Sequence, residues 1–151
     1  MNCTSIHKRR FLFFSGVLTL LIAGCGPERV PTFPVKGKVV FKGTDEPAAK
    51  GAKIWFESTK PPDFLRSMSD IADDGTFVLS TDRAGNGAME GEHRIRIDPT
   101  NGSGMNIEAE LAKNIDRKYF EFRTSGVTVE IKPNEAHDFK IELDRPAGAT
   151  R

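Results

Sequence analysis

Residues 35–42 read VKGKVVFK, and this run decides the fold class. Starting from Val35, every second residue is apolar or glycine, whereas lysine fills three of the four positions between them. Val40 shares the lysine side. Because successive side chains of a strand point to opposite faces, the run predicts a half-buried β-strand.

The rest of the chain repeats this short-strand pattern. Segments 52–57, 66–72, 76–80, 92–98, 127–131 and 137–143 are also predicted as strands. Loops rich in Gly, Pro, Asp and Asn separate them, as in all-β sandwiches. Asp73-Asp74-Gly75 predicts a hairpin turn, since Gly supplies positive φ at little cost. Ile107, Leu111 and Ile115 recur every four residues, which predicts a short helix or irregular excursion within 105–119.

Four blocks resemble a known family, the carboxypeptidase regulatory-like domain: residues 35–39, 51–54, 73–77 and 91–95. The resemblance covers roughly Val35 to Leu143. It implies a seven-stranded transthyretin-like (prealbumin-like) or Ig-like β-sandwich, an accessory fold that confers no peptidase activity. His93 stands where the family usually has Tyr.

The N-terminal segment has the pattern of an export signal. Lys8-Arg9-Arg10 is basic, and 11–23 is apolar apart from Ser15, Gly16 and Thr19. A membrane-spanning helix needs about 20 apolar residues, and this run is shorter. We therefore expect a signal peptide over 1–24.

The signal ends in Leu21-Ile22-Ala23-Gly24-Cys25, which resembles the lipobox of bacterial lipoproteins. The resemblance implies cleavage between Gly24 and Cys25 by signal peptidase II and acyl chains, such as palmitate, on Cys25. An ordinary secreted protein and an uncleaved anchor are the alternatives. Gly26 stands where Asp favours inner-membrane retention, so outer-membrane sorting is favoured.

The mature chain divides into three parts. Residues 25–34 contain three prolines and are expected to form a semi-rigid tether. The β-sandwich domain is predicted over 35–144 and a flexible tail over 145–151. Cys3 lies in the signal, and Cys25 is consumed by lipid, so the mature domain has no internal disulfide.

The charge balance excludes a strongly basic nucleic-acid-binding protein. The chain has 22 basic and 21 acidic residues. The three basic residues of the signal leave 22 − 3 = 19 against 21, a mature net charge of about −2 with histidine neutral. The sequence therefore predicts no nucleic-acid or other polyanionic partner.

Three side chains are candidate ligand contacts: Trp55, Arg94 and Arg96. The two arginines predict solvated cross-strand ion pairs, with an anionic ligand patch as the alternative. Trp55 points away from Ile54 and Phe56. It is expected to lie under the 105–119 excursion, with sugar or protein stacking as the alternative.

The sequence predicts no metal, cofactor or catalytic site. Asp70, Asp73 and Asp74 suggest a calcium loop, but Ala72 and Thr81 lack the acids an EF-hand needs, so a plain turn is favoured. His93 and His137 lack metal-ligand spacing and predict packing roles. No nucleophile elbow is present.

The leading hypothesis is a non-enzymatic cell-envelope lipoprotein, held to the membrane through Cys25, whose sandwich contacts an envelope protein or glycan. A carbohydrate-binding module and a periplasmic hydrolase are the alternatives. The sequence favours the first because it carries an anchor pattern and no recognised catalytic constellation.

Overall fold

The computed structural model describes residues 29–60 and 65–147. The predicted signal peptide, Gly24 and Cys25 lie outside the described residues. The described strands are β1 (Val35–Phe41), β2 (Lys53–Ser58), β3 (Arg66–Asp70), β4 (Thr76–Val78), β5 (Gly91–Asp98), β6 (Thr128–Ile131) and β7 (His137–Leu143).

The strands form two sheets, one ordered β4-β1-β7 and the other β3-β2-β5-β6. β1 runs parallel to β7 and antiparallel to β4, whereas the pairs of the four-stranded sheet are all antiparallel. Side chains from both sheets share one apolar core. The predicted seven-stranded all-β sandwich is confirmed at this level.

Phe56 of β2 lies fully buried in that core. Its ring centre lies 5.9 Å from the ring centre of Phe77 in β4 and 6.5 Å from that of Phe139 in β7. Phe56 therefore packs against two strands of the opposite sheet. Every second residue of β1 from Val35 to Phe41 faces the core, as the alternation predicts. Val40, which was expected on the exposed lysine face, is nevertheless fully buried. It forms an antiparallel bridge with Pro47, which brings the loop after β1 against this end of the strand.

The Asp73-Asp74-Gly75 turn joins the two sheets, and antiparallel backbone hydrogen bonds link the segments on either side of it. Gly75 has a φ of +85°, as the turn prediction requires. Before the turn, β3 pairs with β2, and after it β4 pairs with β1. The hairpin prediction is therefore confirmed in part: the Ala72 N–H donates to the Thr76 carbonyl at 2.9 Å and Met68 and Ser80 form an antiparallel bridge, but β3 and β4 find their main partners in different sheets.

The predicted excursion divides into several short turns. It contains α1 (Glu108–Leu111), a 3-10 helix (Arg117–Phe120) and α2 (Phe122–Ser125). Leu111 and Ile115 are buried, as their spacing predicts, while Ile107 is half-buried. The excursion extends beyond residue 119 and ends at Gly126, whose φ is +65°.

Both ends of the described chain are fastened to the domain. Phe33, within the predicted tether, exchanges two backbone hydrogen bonds with Ala88, at 2.8 and 3.1 Å. Arg145, within the predicted tail, pairs with Glu46 at 2.7 Å and lies 3.6 Å above the ring of Phe41. Phe33 and Arg145 lie at opposite ends of β1, so the chain enters at one end of the sandwich and leaves at the other.

Candidate interaction face

The outward side chains of β3, β2 and β5 form three rows across the four-stranded sheet, which we call the charged face. Alternate residues of the same strands, such as Ile54 and Ile95, are buried in the core, so these side chains point outward. The rows are Arg66, Glu57 and Arg94; Met68, Trp55 and Arg96; and Asp70, Lys53 and Asp98.

Glu57 lies at the centre of the first row with a side chain only 4% exposed. One carboxylate oxygen accepts hydrogen bonds from Nε and NH2 of Arg66, at 2.9 and 2.7 Å. The other accepts from NH2 of Arg94 at 3.0 Å. Two guanidinium groups therefore compensate one nearly buried carboxylate.

Trp55 occupies the middle of the second row, half-buried between Met68 and Arg96. The Arg96 guanidinium lies 5.7 Å from the Trp55 ring centre and 5.4 Å from that of Phe122 in α2. It donates to Asp98 at 2.8 Å and to the Phe120 carbonyl at 3.4 Å. Arg96 thus fastens the excursion to the sheet through charge and cation-π contacts.

In the third row a basic residue lies between two acidic ones, which is the reverse of the charge order in the first row. Lys53 stands between Asp70 and Asp98 in the register, and its ammonium group is 2.5 Å from the Asp70 carboxylate. Opposite charges directly across strands stabilise a sheet, so these pairs contribute to its register.

The structure confirms the cross-strand ion pairing predicted for Arg94, which bonds to Glu57 of β2, whereas Arg96 pairs with Asp98 along its own strand, β5. The two arginine side chains are only 36% and 23% exposed, so the pairs are partly buried and not fully solvated. The cover over this part of the sheet comes from the 3-10 helix, which overlaps the predicted 105–119 at residues 117–119, and from α2, which lies beyond that range. Trp55 Nε1 and Arg94 Nε are buried without a hydrogen-bond partner among the described residues. Ligand binding by Trp55, Arg94 or Arg96 stays a prediction.

Sequence reasoning missed Glu57 and Phe122 as members of this face. Glu57 was placed at the end of a strand, but its partner Arg94 is 37 residues away and Arg66 is 9 away. The alternation of Lys53, Trp55 and Glu57 was the available signal, since it puts all three on one side of β2. Phe122 gave none, because it lies in a four-residue helix with no apolar repeat.

Each of the two described histidines has a packing role. His93 is fully buried, its Nδ1 is 3.0 Å from the Gly91 carbonyl, and its Nε2 has no partner among the described residues. His137 is stacked on Phe139 with ring centres 5.4 Å apart and bonds through Nε2 to the Lys132 backbone.

His93 makes the stability of the fold depend on pH. Burial lowers its pKa below the usual value of about 6.5, against weaker opposing effects of the Gly91 carbonyl and Glu130. The folded state therefore holds the neutral ring, and protonation favours the unfolded chain. We expect the free energy of unfolding to fall as pH drops below about 6.5, and His93→Phe to flatten this dependence in urea titrations.

His137→Phe is the matched control and should leave the pH dependence between about 6.5 and 5 in place. Below about pH 4 a separate loss is expected in all variants, because Lys118 and Tyr119 hold the pKa of Asp144 below its usual value. A wild-type protein equally stable at pH 7 and 5 would contradict the role given to His93.

The acidic residues considered for calcium act within the fold. Asp70 pairs with Lys53, and Asp74 accepts hydrogen bonds from the Thr76 backbone at 3.0 Å and hydroxyl at 2.7 Å. These hydrogen bonds to Thr76 lower the pKa of Asp74. Within 29–60 and 65–147 no three metal-ligating side chains come together.

A cleft opens at the end of the sandwich where the described chain leaves. It has a volume of about 730 Å³ and is lined by Phe41, Lys42, Thr44, Glu46, Leu143, Asp144 and Arg145. A neighbouring cleft of about 300 Å³ shares Phe41, Glu46 and Arg145 with it. Its two apolar lining residues, Phe41 and Leu143, are buried, and its rim carries both signs of charge.

Comparisons with known proteins give no family. No family model and no curated protein matches the chain. A DUF3823 family protein from Parabacteroides merdae aligns at 17% identity over 78% of this chain and 47% of its own, with a TM-score of 0.43. The major pilin subunit of Bacillus cereus aligns at 13% identity over 76% of this chain and 30% of its own, with a TM-score of 0.41. The major plantain pollen allergen aligns at 13% identity over 76% of this chain and 94% of its own, with a TM-score of 0.42.

The chain thus spans about half the length of the first of these structures and under a third of the second. At these identities and TM-scores the alignments support no conclusion about family or activity. The resemblance to the carboxypeptidase regulatory-like domain therefore stays a prediction. Among the helices of the described residues, none has the length and apolar character needed to cross a bilayer.

Proposed function

We propose that this chain is a lipid-anchored cell-envelope protein whose sandwich, of the carboxypeptidase regulatory-like type, is a non-enzymatic interaction or structural module. The observation that carries the proposal is the sequence Leu21-Ile22-Ala23-Gly24-Cys25 at the end of a basic and apolar signal. Two or more acyl chains on Cys25 give stable attachment, whereas a single chain gives only marginal binding.

The short tether sets how the domain meets the membrane. Phe33 is held on Ala88 and is the eighth residue after Cys25. An extended segment of that length reaches about 28 Å at most. The end of the sandwich that carries Phe33 is therefore held within that distance of the bilayer.

The cleft beside Arg145 is the concave surface that supports an interaction role. It lies at the other end of β1 from Phe33 and has a rim of both charge signs around the buried Phe41 and Leu143. The ionic side chains are engaged with one another both on the charged face and on the rim of the cleft, where Arg145 pairs with Glu46 and Lys42 with Asp144, so concavity is what distinguishes the cleft. We propose that an envelope partner contacts this cleft.

Cys25→Ala tests the anchor. We expect the variant to lose incorporation of labelled palmitate, to stay uncleaved and to lose the acyl-chain mass in mass spectrometry, because the thiol is the site of attachment. Cys3→Ala removes the other cysteine of the chain, inside the predicted signal, and should behave as wild type. Palmitate label retained by Cys25→Ala would contradict the proposal.

The interaction role is tested in the same cells with a photo-crosslinking residue at Thr44, in the cleft, or at Arg83, near the opposite end. We expect a reproducible adduct with one envelope protein from position 44 and none from position 83, and we expect Cys25→Ala to abolish it. No reproducible adduct from position 44 in the lipidated protein would count against the interaction role while leaving the anchor intact.

A further inference from the structure

Among the described residues, β7 is an edge strand with unpaired backbone groups. His137 donates its backbone N–H to the Pro34 carbonyl at 2.9 Å, and Lys42 donates to the Leu143 carbonyl at 3.0 Å. In a parallel pair, the residues of one strand turn alternately toward and away from the neighbour. Odd-numbered residues of β7 therefore bond to β1, and even-numbered residues direct their backbone groups outward.

Among the even-numbered residues from 138 to 144, Asp144 is the one whose outward backbone groups have hydrogen-bond partners in the described part of the chain. The Asp144 N–H donates to the Tyr119 hydroxyl at 3.0 Å, and its carbonyl accepts from Asp116 N–H at 3.3 Å. Asp138, Lys140 and Glu142 have no such backbone partner within the described residues. An edge of this kind is a template for another strand.

The edge of β3, unlike that of β7, forms hydrogen bonds with the segment that follows it in the described chain. Met68 and Ser80 exchange two backbone hydrogen bonds of 2.9 Å, and Ser69 Oγ accepts from the Val78 N–H at 3.1 Å. This side of the sandwich is closed by the chain itself. β6 is also an edge, but it is only four residues long, against seven for β7.

We propose that β7 pairs antiparallel with β7 of a second copy of this chain, centred on Phe139, to join two three-stranded sheets into one of six strands. In this register Asp138 of each copy lies opposite Lys140 of the other. The side chains of both residues are exposed and lie on the same face of the strand. Two cross-strand pairs of opposite charge stabilise the register.

The charge order selects against the neighbouring registers. A register centred on Lys140 places Lys140 of one copy opposite Lys140 of the other, and Asp138 opposite Glu142. Every one of these pairs joins residues of like charge. Centring on Ile141 requires the backbone of Asp144, which already bonds to Tyr119 and Asp116. The Phe139-centred register avoids both costs.

The core-facing side chains of β7 also favour a register centred on Phe139. Phe139 is only partly buried in the core and is stacked on His137, with the rings 5° from parallel. In the proposed dimer Phe139 meets its symmetry mate across a non-hydrogen-bonded pair, where side chains approach most closely. Aromatic pairs at such positions stabilise a sheet.

Antiparallel pairing turns the two chain entries to opposite ends of the dimer. Where both copies are anchored to one membrane, the joined sheet must therefore lie along the surface and not stand upright. The reach of about 28 Å from Cys25 to Phe33 permits this. The pairing itself does not depend on the lipid.

Sedimentation of the purified full chain in detergent tests the pairing. We expect a concentration-dependent dimer for wild type. Lys140→Glu should weaken association by about tenfold or more, because it turns both Asp138 pairs into like-charge pairs. Lys50→Glu makes the same charge change on an exposed loop away from β7 and should leave association unchanged. The exchanged variant Asp138→Lys with Lys140→Asp should restore the dimer.

Cysteine crosslinking tests the register. Phe139→Cys places two thiols in a facing pair about 4.5 Å apart at Cα and should give a disulfide-linked dimer under mild oxidation. Lys140→Cys should not, because its mate is about 8 Å away in this register. Cys25 is common to all variants, so its own links appear in wild type and are subtracted. A monomeric wild type, equal loss in Lys50→Glu, or crosslinking through position 140 in place of 139 would overturn the proposal.

Discussion

Gly37→Ala is expected to destabilise the domain by about 3 kcal/mol or more, a large part of the stability of a small domain. Gly37 lies inside β1 between β4 and β7. A Cβ at this position would lie 2.2 Å from the Phe139 carbonyl oxygen and 2.7 Å from Phe77 Cζ. Because the nearer atom belongs to the backbone of the partner strand, the added methyl group forces β1 and β7 apart.

Urea unfolding followed by tryptophan fluorescence measures the effect, since Trp55 is the single Trp of the chain. We expect a lower midpoint with an unchanged slope, which indicates lost stability and not a changed unfolded state. Gly102→Ala is the control, because a Cβ there meets Asp70 at an ordinary 3.7 Å. It should change stability by less than about 0.5 kcal/mol.

A second variant separates the two contacts of the added methyl group. Phe77→Leu in the Gly37→Ala background removes the ring atom but leaves the Phe139 carbonyl in place. It should therefore restore little of the loss. Full rescue by Phe77→Leu would show that the side chain, and not the backbone spacing of β1 and β7, requires glycine.

The need for Gly37 shows what alternation can and cannot reveal. Alternation placed residues 35–41 on a strand and assigned Gly37 to its inner face, because those properties depend on neighbours two residues apart. The reason for glycine depends on β7, where Gly37 is paired with Phe139, 102 residues later. Nothing local in the sequence encodes that approach.

The same distinction explains the errors in the turn and the excursion. Asp74 and Gly75 encode a turn through their own conformational preferences, and the turn is present. The segments that it joins are bonded to each other through the Met68–Ser80 bridge, as predicted, but the main partners of β3 and β4 are β2 and β1, which the turn residues do not encode. Leu111 and Ile115 were correctly predicted to face inward, but the helix ends between them.

The sequence predicted which residues lie on the charged face better than it predicted which residues contact them. Arg94 and Arg96 alternate with Ile95 and Ile97, so their position on an outward strand face followed from the sequence. Their partial burial did not, since it comes from the 3-10 helix and α2 lying over the sheet. A strand pattern reports which face a residue occupies and not what later covers that face.

Glu57→Gln is expected to destabilise the fold by about 2 kcal/mol, because it removes the charge that compensates two guanidinium groups. Removing one partner of a fully buried pair costs about 3–5 kcal/mol, and the lower figure applies here because Arg66 and Arg94 are partly exposed to water. Their exposed fractions are 52% and 36%, against 4% for Glu57. Urea unfolding at neutral pH measures the loss.

Glu110→Gln is the matched control for Glu57→Gln. It removes the carboxylate of the Lys113 pair, in which the two side chains are 70% and 69% exposed, and should cost less than about 1 kcal/mol. The difference between the variants should persist in 1 M salt, because nearly buried charges are screened much less than exposed ones. Equal losses in low salt would contradict the role given to Glu57.

A double substitution separates charge compensation from packing at Glu57. Replacing Glu57 and Arg94 together with Leu and Met removes the buried carboxylate and one guanidinium while filling similar space, and Arg66 keeps its access to water. If Glu57→Gln acts by leaving guanidinium charge uncompensated, the double variant should be more stable than Glu57→Gln alone. If the Glu57 side chain instead stabilises the fold by packing under Arg66 and Arg94, the double variant should lose at least as much free energy of unfolding as Glu57→Gln. The charge account also predicts that Arg94→Met alone costs less than Glu57→Gln, because Arg66 still compensates the carboxylate through two hydrogen bonds.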